Sequence, residues 1–333
     1  MRAVVVAEFG GPEVLRLREV PDPVAAVGEV VVEHEAIGVN LVDTQHRAGS
    51  PYPVEAPLIV GIEAAGSVVE VGAGVEDVAV GDRVAYGGVM PGVYAERAAV
   101  AADQLIHLDD DTTTDVAAAA LLHGWTAHML AALADRVDVD RDVRRAVVLA
   151  AAGGTGSLLT QLLVGRGWEI IGITSGEEKS AYVTSIGAEA IDRRDGDVVE
   201  AVLDRSGGGV HAVFEGIGGA VFDQARRMLR PRGHLVSFGQ TAGPVPAIDP
   251  ALLSGISSAG GPGSLTLTWP TLNDHNPSAE MRRWRAAEVF ATVASGDLVV
   301  RIERVDPLGA AADVHAALES GATIGKLLLD PSR

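Results

Sequence analysis

Cysteine is absent from the 333-residue chain, which excludes disulfides, a thiolate nucleophile and any Cys-type zinc site. Positive charge is scarce: 26 Lys and Arg stand against 45 Asp and Glu, for a formal net charge of −19. A phosphate backbone or an anionic membrane surface would be repelled unless the cations were clustered. The densest basic segments, Arg141-Asp142-Val143-Arg144-Arg145 and Arg282-Arg283-Trp284-Arg285, are short and read as solvated ends of helices or strands. Neither a nucleic-acid nor a membrane partner is expected. Long unbroken apolar runs are missing too. Residues 146–165 and 251–273 are uncharged, but glycine, proline and hydroxyl residues interrupt them, so neither reads as membrane-spanning. The opening Met1-Arg2-Ala3-Val4-Val5-Val6-Ala7-Glu8 meets an acid before a signal-peptide core is complete, and a cytoplasmic location is expected.

What is present begins with a glycine-rich turn. Ala151-Ala152-Gly153-Gly154-Thr155-Gly156 follows the apolar run 145–150 and opens the uncharged run 157–163, which reads as strand, turn, helix. Such a turn lets the backbone approach a pyrophosphate, and the helix start offers unpaired amides and the positive end of its dipole. Ala151 stands where the first glycine of the dinucleotide fingerprint would be, so the turn alone does not separate a nucleotide site from an ordinary α/β turn. The rhythm that follows does more. Residues 168–174, 188–191, 211–214, 234–238 and 264–269 read as strands and 177–186, 198–205 and 220–229 as helices, the last closed by Arg230-Pro231. With the strand before the turn, this predicts six parallel strands with helices on both faces, a doubly wound Rossmann-type α/β domain.

Residues up to about 118 differ in texture. Short β-rich runs at 3–8, 15–20, 29–37, 66–71 and 83–86 are separated by Gly, Pro and Asp turns, which predicts a mainly antiparallel β domain. After residue 280 come a helical stretch, a strand-like run at 299–302, a helix at 310–319 and the strand Lys326-Leu327-Leu328-Leu329; this tail is expected to pack back on the N-terminal domain. The length and the 47% hydrophobic content suffice for two cores.

Taken together, Gly10-Gly11-Pro12-Glu13-Val14-Leu15, Ile37-Gly38-Val39-Asn40-Leu41-Val42-Asp43, Gly61-Ile62-Glu63-Ala64-Ala65-Gly66, Val71-Gly72-Ala73-Gly74-Val75, Gly81-Asp82-Arg83-Val84, the glycine turn, Ser237-Phe238-Gly239-Gln240 and Gly325-Lys326-Leu327-Leu328-Leu329 resemble the medium-chain dehydrogenase/reductases. Within that family they resemble the zinc-free quinone oxidoreductases. The resemblance implies a GroES-like, mainly antiparallel β catalytic domain at 1–120, an NADP-binding Rossmann domain at 121–272 and a segment at 273–333 that completes the catalytic domain. Zinc-dependent relatives carry a cysteine ligand where this chain has Asn40, a histidine where it has Ile62, and a four-cysteine lobe without counterpart here. No catalytic metal is expected, and His34, His46, His107 and His123 lack a tight ligand spacing.

An NAD site usually offers a carboxylate at the tip of its second strand, and Thr174-Ser175-Gly176 has none. Thr174, Ser175 and Lys179 suit a ribose 2′-phosphate, and Lys179 falls where the family carries a phosphate-contacting lysine. Arg193 takes a position often held by tyrosine and adds charge, so NADPH is the expected cofactor. The resemblance adds Ala152, Gly153, Gly154, Thr155 and Gly156 at the pyrophosphate, and Thr126, Phe238, Gly239, Gln240 and Lys326 as further cofactor contacts. Two positions depart from the family pattern: Trp269 replaces an arginine in Thr268-Trp269-Pro270-Thr271-Leu272, and Gly321 replaces a basic residue in Glu319-Ser320-Gly321.

The chemistry that the family implies is hydride transfer from reduced nicotinamide to a quinone or to the β-carbon of an enone. It needs no nucleophile, only positioning and stabilisation of charge on the carbonyl oxygen. Catalytic candidates are Asn40, as a hydrogen-bond donor to that oxygen, with Asp43 on the same segment, and Tyr52 as proton donor or relay. Asn40 and Asp43 equally suit capping of a helix start. Gln45, Tyr52, Tyr86, Met90 and Trp269 are expected to line the substrate pocket. Alternatives are an enoyl-thioester reductase, which the charge balance disfavours, and an NADPH-binding protein with little turnover. The resemblance also implies a homodimer paired through the sixth Rossmann strand.

Overall fold

The computed structural model describes residues 1–137, 143–256 and 260–333; Arg141 and Asp142 of the first basic segment lie outside the described residues. The chain forms two compact units. One comprises Met1–His123, Pro277–Gly296 and Val300–Arg333, the other Gly124–Asn276 and Asp297–Val299.

In the second unit six strands pair in the spatial order Glu189–Asp192, Glu169–Thr174, Arg145–Val148, Val210–Glu215, Leu229–Ser237 and Thr266–Thr268, every pairing parallel. By chain position this is the order 3-2-1-4-5-6 of a Rossmann sheet. Central strands of such a sheet are covered on both faces and therefore read as continuous apolar runs; all of Val210–Glu215 is buried. Helices Gly154–Gly165, Glu177–Ser185, Val198–Ser206 and Val221–Arg227 make the crossovers. One apolar core, including Val147, Ile171, Ile191, Val213, Phe222 and Leu235, unites helices and strands.

The helix read at 220–229 is shorter than expected. It ends at Arg227, and Arg230-Pro231 fall inside the strand Leu229–Ser237. Leu229 pairs with Val210, the ladder is then interrupted, and pairing resumes at His234 with Ala212. Pro231 sits in that irregularity, where its missing N–H breaks no ladder bond.

The first unit holds a sheet in the order Ile302–Pro307, Lys326–Asp330, Glu29–Val39, Glu63–Val71, Arg83–Gly87 and Ile106–His107, with Arg97–Ala101 also on Glu29–Val39. Only the pairing of Ile302–Pro307 with Lys326–Asp330 is parallel there. A smaller antiparallel sheet joins Leu15–Glu19, Arg2–Val6 and Leu58–Ile59. The strand read at 299–302 is displaced to Ile302–Pro307, because the backbone of Val299 is engaged instead by the side-chain amide of Gln161. The Ala311–Glu319 helix and the last strand contribute Val314, Leu327 and Leu329 to the N-terminal core, as the tail's apolar pattern anticipates.

No element was expected over Thr114–Ala134, which forms a 21-residue helix with residues assigned to each of the two units. By length and composition it is apolar enough to cross a membrane, but 72% of its most apolar window is buried inside the protein, so it reads as a core helix.

Candidate functional site

In the second unit the strand Arg145–Val148 runs into a turn in which Ala150 adopts a left-handed conformation (φ 51°). The chain then folds back over its own Ala150 carbonyl. A Cβ on Gly156 would lie 2.3 Å from that oxygen, and one on Gly153 would lie 3.3 Å from it. Position 156 therefore accepts glycine alone, and the reason is backbone against backbone. Gly153 is extended (φ −78°, ψ 172°) and caps the Gly154–Gly165 helix. The amides of Gly154, Thr155 and Gly156 have no acceptor within the helix, and together with the dipole they form an anion site. Ala152 and Gly156 are buried beneath it, while Gly153, Gly154 and Thr155 are half-buried.

At the tip of the second strand Thr174 is buried, and its hydroxyl pairs with Ser180 Oγ at 2.7 Å. Ser175 and Lys179 are half-buried and Arg193 is exposed. The acid missing from this tip in the sequence is supplied by the third strand. Asp192 lies in register with Thr174 and its Oδ2 accepts the Gly176 N–H at 2.8 Å. Arg194 folds back onto Asp192, with Nη2 to Oδ2 at 2.6 Å and Nε to Oδ1 at 3.0 Å. The paired guanidinium holds the Asp192 carboxyl far below the ordinary carboxylate range. Neither Asp192 nor Arg194 was among the expected site residues; the signal was an acid immediately after the predicted third strand.

Further along the same sheet edge, buried Glu215 accepts the N–H groups of Ile217 and Gly218 and the Ser237 hydroxyl. Phe238, Gly239 and Gln240 are half-buried. The Phe238 ring would meet a Cβ on Gly216 at 2.8 Å, and a Cβ on Gly239 would meet the Gly216 carbonyl at 2.6 Å, so the loops after the fourth and fifth strands are pressed together. The turn 152–156, the second-strand tip and Phe238-Gly239-Gln240 thus all fall at the carboxyl ends of parallel strands, where open α/β sheets bind ligands. Thr126 is half-buried on the Thr114–Ala134 helix, and Trp269 is exposed just after Thr266–Thr268.

The first unit holds a buried polar network around the Leu41–Ala48 helix. Asp43 Oδ2 accepts the Asn40 N–H at 2.8 Å and the Tyr94 hydroxyl at 3.1 Å. Tyr94 Oη stands 3.0 Å from His315 Nε2, and Arg47 Nη1 stands 3.2 Å from His315 Nδ1. Arg47 in turn pairs with Glu319. Arg47 only donates, which assigns the His315 proton to Nε2 and directs the chain Arg47→His315→Tyr94→Asp43. Burial, reinforced by Arg47, lowers His315 to about 3, so the ring is neutral. Burial pushes Asp43 up to about 7, against the pull of the Asn40 N–H and of Lys326.

Beside it, Lys326 Nζ donates to Glu63 Oε2 at 2.6 Å and to Asn40 Oδ1 at 2.7 Å. Glu63 Oε1 accepts the Leu122 N–H at 2.7 Å. Asn40 Nδ2 donates to Gly38 O at 3.2 Å and to Glu63 Oε2 at 3.1 Å.

These contacts correct four expectations. Both amide protons of Asn40 are engaged inside the protein, so it has no donor for a substrate oxygen. Asp43 is 0% exposed and acts on the helix start, not on a substrate. Lys326 is 2% exposed, and its ammonium is held by Glu63 and Asn40 instead of reaching a cofactor. Tyr86 is fully buried with its hydroxyl on His34 Nε2, because Arg83–Gly87 is covered on both faces; it lines no pocket. Of the other substrate-side candidates, Gln45 is half-buried, while Tyr52 and Met90 are exposed. Tyr52 packs edge-on against His46 with centroids 5.7 Å apart. Tyr94, His315, Arg47 and Glu63 were not among the expected site residues; Glu63 stands in the family-like string Gly61-Ile62-Glu63-Ala64-Ala65-Gly66, and nothing local marks the other three. Among the described residues no group of three His, Cys, Asp or Glu side chains stands close enough to hold a metal ion.

Residues 26–110 match the alcohol dehydrogenase GroES-like domain family, and residues 154–271 match the family described as zinc-binding dehydrogenase. A quinone oxidoreductase of Pseudomonas aeruginosa is 34% identical over 333 residues, covering 99% of both chains. A 2-haloacrylate reductase of a Burkholderia species is 33% identical, covering 99% of this chain and 98% of its own. Among solved structures, Escherichia coli quinone oxidoreductase complexed with NADPH superposes with a TM-score of 0.92 at 32% identity, over 99% of this chain and 100% of that one.

Proposed function

The chain belongs to the medium-chain dehydrogenase/reductase family, in its zinc-free quinone oxidoreductase branch, and from this premise we propose that it is an NADPH-dependent reductase of quinones or α,β-unsaturated carbonyls. The observation that carries the reading is the glycine cradle at 153–156, closed to side chains by the Ala150 carbonyl and set at the carboxyl edge of a 3-2-1-4-5-6 sheet. Relatives in complex with NADPH, and relatives named for quinone and haloacrylate reduction, support it.

When bound, NADPH supplies the hydride. The amides of Gly154, Thr155 and Gly156, with Ala152 and Gly153, would hold its pyrophosphate, and Thr174, Ser175, Lys179 and Arg193 would take the ribose phosphate. Thr126, Phe238, Gly239 and Gln240 would hold the nicotinamide end. Hydride added to the substrate places negative charge on a carbonyl oxygen, which a donor must stabilise and protonate. Exposed Tyr52 fills that role, with Gln45 and Met90 as substrate contacts on the same unit. Asn40 and Asp43 are positioning residues that fix the Leu41–Ala48 helix. The reading assigns 121–272 to cofactor binding and 1–120 with 273–333 to catalysis, in a cytoplasmic homodimer paired through Thr266–Thr268, which ends the six-strand order.

The test follows nicotinamide absorbance with NADPH or NADH while 1,4-benzoquinone, 9,10-phenanthrenequinone or an alkyl enone is added. Oxidation of NADPH by either acceptor class supports the reading. Binding without oxidation of any acceptor reassigns the chain to a binding protein, and no binding of either cofactor overturns the role of Gly153–Gly156.

A further inference from the structure

Three cations stand near the tip of the second strand of the nucleotide-binding sheet, and their geometry is unequal. Lys179 is a single point charge on a half-buried helix position, and Arg193 is anchored through its backbone, N–H to Thr174 O at 3.0 Å. Arg194 differs. Its guanidinium lies over Gly176, 3.3 to 3.6 Å from where a side chain on that glycine would begin, and Gly176 has a left-handed φ of +107°.

The partner of Arg194 decides what this arrangement recognises. A carboxylate offers about four lone-pair positions. Asp192 Oδ1 accepts the Arg194 N–H and Nε–H, each at 3.0 Å, and Oδ2 accepts Gly176 N–H at 2.8 Å and Arg194 Nη2–H at 2.6 Å. An acid at the tip of the second strand ordinarily accepts from the ribose hydroxyls and selects NADH; Asp192 ends the third strand and lies in register with that tip, within reach of the same hydroxyls. Here its acceptor positions are filled, so it has none for a ribose. What the pair presents outward is the remaining Nη1 edge of a guanidinium whose side chain is 62% exposed, while Asp192 is only 10% exposed. A planar fork held in this way matches a phosphate bidentately.

We propose that Arg194 is the residue that selects NADPH over NADH, and that Asp192 aims its guanidinium at the 2′-phosphate without touching the ribose. The proposal rests on the NADPH reading above and assigns its specificity to one side chain. It has an asymmetric consequence. Removing Arg194 deletes a phosphate donor and also uncovers the Asp192 carboxylate, which then repels the phosphate and accepts from the 2′- and 3′-hydroxyls.

Arg194→Ala is therefore expected to weaken NADPH and 2′,5′-ADP binding about 10–100-fold, the scale of a charge-assisted contact, and to strengthen NADH and 5′-AMP binding. Asp192→Asn is expected to weaken NADPH less and to leave NADH no better bound. Arg193→Ala, which keeps the pair intact, is expected to cost less NADPH affinity than Arg194→Ala. Titration calorimetry of the full chain with the four nucleotides reads this out, with circular dichroism confirming the fold of each variant. An Arg194→Ala protein with the parent's NADPH-to-NADH ratio, or an Arg193→Ala protein that alone loses it, overturns the proposal and leaves the reductase reading intact. A parent protein that binds NADH as tightly as NADPH overturns both.

Discussion

The turn at 150–156 and the network around Asn40 both gather polar groups beside a glycine, Gly156 in one and Gly38 in the other, yet they are built on opposite principles. In the turn every actor is a backbone atom within seven consecutive residues, and the decisive contact is a 2.3 Å approach to a carbonyl. In the network the actors are mainly side chains, joined by the Gly38 carbonyl and the Asn40 and Leu122 N–H groups, and the side-chain partners of the Asn40 amide lie 23 and 286 residues away. The turn leaves its amides facing outward and so suits a ligand. The network turns its donors and acceptors on one another and so holds its own strands and helix in register. A polar cluster that looks catalytic in sequence can thus have its donors engaged within the protein, and the count of remaining donors tells the two apart.

The largest expected effect breaks the network. Lys326→Ala strips buried Glu63 of its ammonium partner and should cost about 3–5 kcal/mol in urea unfolding. Lys326→Met combined with Glu63→Gln should recover most of this. A loss below about 1 kcal/mol for the single variant would show that the pair is not the closed unit described.

Asp43 sharpens the contrast through pH. Its folded carboxyl titrates at about 7, against about 3.9 in an unfolded chain. Between those values the native state holds a proton that the unfolded state has released, so this group's contribution is greatest below about pH 4 and is lost as pH rises through 7. Asp43→Asn removes the slope. It should be the more stable protein at pH 8 by a few kcal/mol, with the gap shrinking at pH 5; denaturant midpoints at the two pH values measure it.

On the turn side, Gly156→Ala forces a methyl against the Ala150 carbonyl. An NADPH affinity loss of about 100-fold is expected, with a stability cost of about 1–3 kcal/mol. Unchanged binding by calorimetry would mean that the cradle is not where the pyrophosphate sits. The smallest effect is a control within the same unit. Asp197 caps the Val198–Ser206 helix through the N–H groups of Val199 and Glu200, so Asp197→Ala should cost about 1 kcal/mol in thermal unfolding and leave the NADPH dissociation constant unmoved.

The strand and helix alternation, the glycine turn and the split into β and α/β regions were legible along the chain because each depends on residues a few positions apart: apolar period, turn chemistry and the space that one glycine leaves. The same local logic failed at Arg230-Pro231, where a ladder interruption absorbs a proline, and at Val299, where a glutamine side chain claims the backbone. The pairings of Asn40 with Lys326, of Tyr94 with His315 and of Asp192 with Gly176 were not legible, since each joins segments that meet only after the sheets form. Fold class, family and the position of the glycine turn can be read along the chain, because backbone geometry is encoded locally. Which polar groups remain open to a ligand emerges with the folded chain, because that depends on whether distant side chains have already filled their donors and acceptors.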